Sequence, residues 1–361
     1  MATHEQLEST SSRPPMDPTT YEAEHASEKP LQPILHIGTR KSALAVIQAD
    51  LVKSTLESVY PSASYEIHAM STMGDKNQTT ALHDFGAKSL WTHELEAQLL
   101  DGRLDLIVHC LKDMPTQLPE KCVIGAILER EDPRDVVVMK KGLGYKTLKE
   151  LPAGSVVGTS SVRRSAQIKR KYPDLEFKDV RGNIGTRVSK LDDDSLGYSC
   201  LILAAAGLIR GGFKERITQY LDSKTEGGGM LHAVGQGALA IEVREGDEKV
   251  LEVVKRLEDR ESSLAGLAER SLMRTLEGGC SVPIGVESEW IERGKLLIRA
   301  VVVSLDGKES VEAERLDEVL NEKDADEFGW KIAQDLVEKG AARILEAINL
   351  NRPIIKEGGN A

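Results

Sequence analysis

Much of what would place this 361-residue chain in a familiar class is missing from it. Its four cysteines, Cys110, Cys122, Cys200 and Cys280, form no CxxC pair and no dense framework. That argues against a disulfide scaffold and a structural zinc site, and suits free thiols in a reducing compartment. No apolar run approaches the roughly 20 residues that span a bilayer, so no membrane partner is expected. The opening MATHEQLESTSSRPPMDPTTYEAEHASEKP has no apolar signal core. Its acids, Glu5, Glu8, Asp17, Glu22, Glu24 and Glu28, outweigh Arg13 and Lys29, the reverse of a mitochondrial transit peptide. Positive charge is in deficit overall: the net charge of -11 argues against a nucleic-acid or anionic-membrane partner recognised by bulk electrostatics. No GxxxxGK[ST] motif is present, which disfavours a nucleotide phosphate site. A cytoplasmic protein with a disordered tail over residues 1–30 is the expectation.

The length exceeds what one core usually fills, so two or three domains are expected. Short apolar runs at Ile34 to Ile37, Asp105 to Val108, Asp135 to Met139, Ser155 to Gly158 and Cys200 to Ala204 alternate with helical patterns, which predicts an α/β fold with mainly parallel central strands. A further strand is expected at Ala238 to Val243. After about Val250 a charged helix, RLEDRESSLAGLAERSLMRTLE, precedes two strands around Leu296 to Val303 and a last helix near Phe328 to Ala347, a smaller α+β domain. No internal repeat is evident.

Chemistry-bearing residues gather in a few places. In RTLEGGCSVPIGV, Gly278, Gly279 and Pro283 put Cys280 on a tight loop, where it is either a small buried hydrophobe or a thiol presented for covalent chemistry. In VGTSSVRRSAQIKR, Thr159, Ser160 and Ser161 precede a helix whose first turn holds Arg163 and Arg164. Cations there oppose the helix dipole, so they form either a solvated basic face or a pair compensated by a bound anion. Arg181 and Arg187 follow in DVRGNIGTRVSKLD, and Arg40, Lys41, Ser42 and Arg210 stand at or near other strand ends. So many arginines in an acidic protein imply a ligand with several carboxylates or phosphates. In DLIVHCLKDMPT, Lys112 and Asp113 follow a strand end, where ligands bind in open α/β sheets. Asp113 could cap a turn, act as a general acid or hold a cationic intermediate. His109 has no partner at metal-ligand spacing and is expected to be packed. Residues 71–91, glycine-bearing and polar, look like a mobile loop able to cover a site.

The ordered segments IGTRKSALA, GDK, KSLWTHELE, HCLKDMPT, EREDPRD, GTSSVRRSAQ, VRGNIGTR, VGQGALAIE and LEGGCSVPIG resemble the porphobilinogen deaminase (hydroxymethylbilane synthase) family over roughly residues 34–350. The resemblance implies a transferase of tetrapyrrole and haem biosynthesis. Such an enzyme joins four porphobilinogen molecules head to tail on a covalent dipyrromethane primer, releases four ammonia molecules, and hydrolyses off linear hydroxymethylbilane. Cys280 would carry the one dipyrromethane through a thioether. Lys112, Thr159, Ser161, Arg163, Arg164 and Arg187 would hold the cofactor, while Arg40, Ser42, Arg181, Arg210 and Gln236 would contact substrate. Asp113 would be the catalytic aspartate, assisting ammonia loss, balancing the azafulvene cation and helping remove the α-proton. No metal is implied, and the family is usually monomeric.

The implied fold is α/β in three domains: two like the halves of type II periplasmic binding proteins, at 31–130 with 231–248 returning and at 131–230, and a C-terminal α+β domain at 249–361. The sequence departs from the commoner pattern at Cys110, where serine is usual, at Trp91 for phenylalanine and at His93 for lysine. A non-catalytic binding protein for a polycarboxylate would explain the arginines, but not Cys280 together with Asp113.

Overall fold

The computed structural model describes residues 34–72, 92–276 and 282–350; Trp91, Cys280 and the 1–30 tail lie outside that range. Strand β1 (Ile34–Arg40) sends Leu35 and Ile37 into a core shared with helix α1 (Ala43–Val59). Ser42 caps that helix, accepting from the Ala45 N–H at 3.3 Å. With β2 (Ser64–Met70), β3 (Leu106–Cys110), β4 (Cys122–Ile127) and β10 (Leu239–Arg244), β1 forms a sheet ordered β2-β1-β3-β10-β4. In it β1 pairs parallel to β2 and β3, and β10 runs antiparallel between β3 and β4. Helix α2 (His93–Leu100) buries Leu95 and Leu99 beside Leu104 and Ile107 of this layer.

A second sheet repeats that plan. Strands β5 (Asp135–Met139), β6 (Val156–Gly158), β7 (Glu176–Lys178), β8 (Cys200–Ala204) and β9 (Gln219–Leu221) are ordered β7-β6-β8-β5-β9. Here β6 pairs parallel to β7 and β8, and β5 lies antiparallel between β8 and β9. The run DVVVM is buried along its whole length, as a β-branched strand inside a sheet should be. The topological repeat leaves little trace in sequence: Gly38-Thr39 closes β1 and Gly158-Thr159 follows the same course at β6. Helices α3 (Val162–Lys171), α4 (Ile184–Asp192) and α5 (Ala205–Arg210) connect the strands of this second sheet.

The chain passes between the sheets twice, over residues 128–134 and 222–238. In the return crossing Gly237 has φ +93°, and a Cβ there would sit 2.2 Å from the Glu131 carbonyl oxygen, so only glycine lets the two crossings lie together.

Helix α6 (Glu248–Lys255) falls past the boundary expected at 249, yet it packs Val250, Val253, Val254 and, just beyond, Leu257 into the core of the first sheet. Its apolar face matches that layer. The third unit follows with α7 (Arg260–Thr275), β11 (Ile284–Glu292), β12 (Lys295–Val303), β13 (Ser310–Glu318), α8 (Glu322–Glu338) and α9 (Ala341–Leu350). Three antiparallel strands stand where two were expected, and the last helix is divided in two at Gly340. Where α8 crosses α7, a Cβ at Gly329 would meet the Ala268 carbonyl at 2.1 Å, so this close approach also depends on glycine. Among the described residues no helix is long and apolar enough to cross a membrane.

One carboxylate fastens the three units. Glu269 of α7, fully buried, receives Arg130 of the first crossing at 2.7 and 3.0 Å, the Gly235 N–H of the return crossing at 2.7 Å and the Ser288 hydroxyl of β11 at 2.6 Å. Burial would raise its carboxyl, but Arg130 and His232 outweigh burial and hold it below the usual range. Replacing Glu269 with Ala strands the Arg130 charge, so Glu269→Ala should lose about 3–5 kcal/mol, visible as a lowered urea midpoint. A loss under about 1 kcal/mol would show that this junction is not a structural anchor.

Candidate active site

The carboxyl ends of the strands in both sheets bear the residues singled out from sequence. Arg40 ends β1, and Lys112 and Asp113 lie in the 3-10 turn Leu111–Asp113 directly after β3. Asp113 is exposed and shares a cleft with Arg40, Ser42, Gln48 and Cys110. From the second sheet come Thr159 and Ser161 after β6, Arg181 and Arg187 around the start of α4, and Arg210 at the end of α5. Helices α1 and α5 touch, so the two sheets present these ends to one another.

Arg187 shows how the two sides act together. Burial, with Arg164 and Arg181 nearby, pushes its guanidinium down to about 10, and Asp113 opposes that shift from the other sheet. Its Nε donates to the Gly182 carbonyl at 2.7 Å. Arg210 Nη2 donates to the Gly237 carbonyl at 2.8 Å; burial lowers its pKa, against the fields of Cys110 and Glu131. Among the described residues, neither Arg187, Arg210 nor Lys112 forms an ion pair with an acid within 4 Å. Half-buried cations without acidic partners suit a ligand bearing several carboxylates.

Arg163, Arg164 and Gln236 turn elsewhere. All three converge on Asp135, the fully buried first residue of β5. Arg163 Nη1 reaches its Oδ2 at 2.6 Å, Arg164 Nε and Nη2 reach Oδ1 at 2.9 and 2.7 Å, and Gln236 Nε2 reaches Oδ1 at 3.1 Å. The anion that two arginines in a first helical turn demand is thus met inside the chain. Burial would raise the Asp135 carboxyl; the two arginines overcome it and hold the group far below the usual carboxylate range. Arg163 keeps Nε and Nη2 outside these bonds, and Gln236 Oε1 is buried without a partner.

The hydroxyls divide as well. Ser42 is occupied as a helix cap and Thr159 Oγ1 accepts from the Ser161 N–H at 3.2 Å, whereas Ser161 stands at the start of α3 with no side-chain cap bond. Cys110 exchanges hydrogen bonds with Gln48 at 3.1 and 3.3 Å. Burial, reinforced by Asp113, raises its pKa, so the thiol beside the site is held protonated. Cys122 and Cys200 are free and buried, each pushed up to about 12, chiefly by burial. His109 is packed as expected, with Nε2 2.9 Å from the buried Glu242 carboxylate.

Two residues that shape this site escaped the sequence reading. Asp135 had a signal: an acid heading an otherwise apolar buried strand requires a cation, and arginines were at hand. Arg270 had none, because its partners are backbone atoms. It donates to the Pro115 carbonyl at 2.6 Å and holds the chain just after Asp113 against α7.

Fold and site define a two-sheet α/β protein with a cation-lined cleft, a carboxylate at its mouth and a third unit bracing both sheets. The family model described as porphobilinogen deaminase, dipyromethane cofactor binding domain, matches residues 35–252, and that of the porphobilinogen deaminase C-terminal domain matches residues 264–338. Among relatives, a porphobilinogen deaminase of Neurospora crassa is 57% identical over 322 residues, covering 88% of this chain and 95% of that protein. One of Saccharomyces cerevisiae is 51% identical over 324 residues, covering 88% and 98%. Among solved structures, substrate-binding domain 2 of Lactococcus lactis GlnP superposes with a TM-score of 0.38 at 12% identity, covering 68% of this chain and 91% of that one. The chain belongs to the porphobilinogen deaminase family, a family of transferases whose cofactor is dipyrromethane.

The Asp135 cluster yields a stability test. Asp135→Asn leaves two buried guanidinium groups with no carboxylate between them, which should cost about 3–5 kcal/mol in urea at neutral pH. Because the native pKa is depressed, the stabilisation is complete above the unfolded pKa, near 4, and is lost as pH falls toward the native value. The gap between wild type and variant should therefore narrow below about pH 4. A gap that does not change with pH would mean that the carboxylate charge is not what holds the arginines.

Proposed function

We propose that this chain catalyses the head-to-tail joining of four porphobilinogen molecules into linear hydroxymethylbilane, with loss of four ammonia molecules. Family membership supports the activity. The observation that supports the site assignment is that Asp113 shares a cleft with Arg40 and Ser42 at the strand ends of the first sheet, close enough to Arg187 of the second to act on its charge, while Lys112, Arg187 and Arg210 have no acidic partners among the described residues. Each pyrrole brings an acetate and a propionate, and this cleft suits such a load. A polycarboxylate-binding protein without catalysis would share the arginines, but family membership disfavours it.

Cys280 is assigned as the thioether anchor of the dipyrromethane, which when bound supplies the nucleophilic pyrrole carbon from which the chain starts. Lys112, Thr159, Ser161, Arg163, Arg164 and Arg187 are assigned to holding it, with Arg163 using its Nε and Nη2. Arg40, Ser42, Arg181, Arg210 and Gln236 are assigned to the incoming substrate, and Gln236 Oε1 is a buried acceptor available to a donor. Asp113 has three tasks in sequence. Its carboxyl assists departure of the substrate's ammonia as the C–N bond breaks, its carboxylate balances the positive charge left on the pyrrole, and it accepts the α-proton released after the new C–C bond forms. Arg270 fixes the turn that aims Asp113. The protein is further assigned to the cytoplasm as a monomer, in the three units expected from sequence with α6 counted in the first.

Two measurements test this. Intact mass of the denatured protein should exceed the chain mass by two linked pyrroles, localised to Cys280 by peptide mapping. An unmodified chain that neither porphobilinogen nor its tetrapyrrole product converts would overturn the assignment. Asp113→Ala, a change at an exposed position, should fold normally and lose about 10²- to 10⁴-fold in turnover. Activity within tenfold of wild type would remove Asp113 from the chemistry.

A further inference from the structure

A second constellation lies on the first sheet, at the end of β1 away from Arg40. His36 and Glu66 are direct partners in the parallel register of β1 and β2, and His68, two residues beyond Glu66, stands opposite Gly38. With no side chain at Gly38, the nearest polar neighbour of His68 along that face is His36. Its Nε2 lies 2.8 Å from His36 Nδ1, and the ring centroids are 4.9 Å apart. A Glu66 carboxylate oxygen is 4.0 Å from the same His36 nitrogen, and the three ligand atoms lie within 4.8 Å of one another.

We propose that His36, Glu66 and His68 form a binding site for a divalent transition ion of the zinc class. Two imidazole nitrogens on a tetrahedral ion with bonds of about 2.0–2.1 Å stand roughly 3.3 Å apart, so this pair needs to open by about 0.5 Å. The glutamate needs a larger inward step, up to about 1.5 Å toward His68, which its half-exposed side chain can make by changing rotamer. At 2.8 Å the two nitrogens cannot both carry a proton. Without an ion they share one, and binding requires His36 in the tautomer protonated at Nε2. Two nitrogens and one carboxylate oxygen leave a fourth position for water.

The ligands sit on rigid strands, not on a loop. The His36 N–H donates to Asp105 Oδ2 at 2.8 Å while its carbonyl accepts from the Asp105 N–H at 2.9 Å, which fixes the backbone beneath the first ligand. None of the three belongs to the cleft described above. The ion would clamp β1 to β2 without entering the reaction.

The test uses Co²⁺ with the holoenzyme, in which Cys280 is blocked, followed by competition with Zn²⁺. The expected result is one equivalent of saturable binding with the strong visible absorption of tetrahedral cobalt, displaced by zinc. His68→Gln should abolish the tetrahedral spectrum, and Glu66→Gln, a surface change, should weaken binding by no less than about tenfold, since even an outer-shell partner is worth that much. Turnover without added metal should be unchanged in both variants. Weak octahedral absorption, a thiolate charge-transfer band, or a tetrahedral spectrum that survives His68→Gln would each overturn the site.

Discussion

The Asp135 carboxylate, sealed from water and gripped by two arginines, is the contact on which the cleft depends. It begins the first strand after the chain leaves the first sheet, it receives both arginines of the first turn of α3, and it takes a hydrogen bond from Gln236 on the way back. A buried carboxylate offsets its desolvation only when it is paired and its remaining lone pairs are filled, as the two arginines and the amide do here, so that removing any one partner is costly. Both crossings and α3 are thereby fixed to one point, and the residues just beyond that point form the cleft. Glu269 repeats the device one layer away and adds the third unit.

These anchors explain why so many basic residues coexist with a net charge of -11. Arg130 is cancelled in place by Glu269, and Arg163 and Arg164 share the one negative charge of Asp135. Lys112, Arg187 and Arg210 have no acidic partner within 4 Å among the described residues, and burial has already removed part of the water around Arg187 and Arg210. These cations stand at or near strand ends of the two sheets. Counting arginines does not separate the two sets. Tracing their acidic partners does.

How far the sequence led follows from which interactions are local. Strands such as Asp135–Met139 and Cys200–Ala204 lie where their apolar runs put them, because a buried strand is written in contiguous residues. The place of α6 was not legible: its valines fit either neighbouring layer, and only tertiary packing chose the first. The repeated sheet topology was hidden for a related reason, since strand order is set by long-range pairing that leaves a Gly-Thr pair as its trace. The positions of Asp113, Arg40 and Arg210 at or near strand ends were legible from the apolar runs before them, whereas the turning of Arg163, Arg164 and Gln236 toward Asp135 required knowing that β5 brings an acid beneath them. Arg270, whose partners are carbonyls 155 and 156 residues away in sequence, left no pattern to find.

The distribution of charge also bears on how a polyanion can be both collected and released. A chain with a net charge of -11 repels a molecule carrying several carboxylates on the whole, and local cations such as Arg187 and Arg210 oppose that repulsion near the strand ends. Screening at physiological ionic strength limits the repulsion to about 8 Å, so the exterior guides little at a distance but discourages adhesion elsewhere.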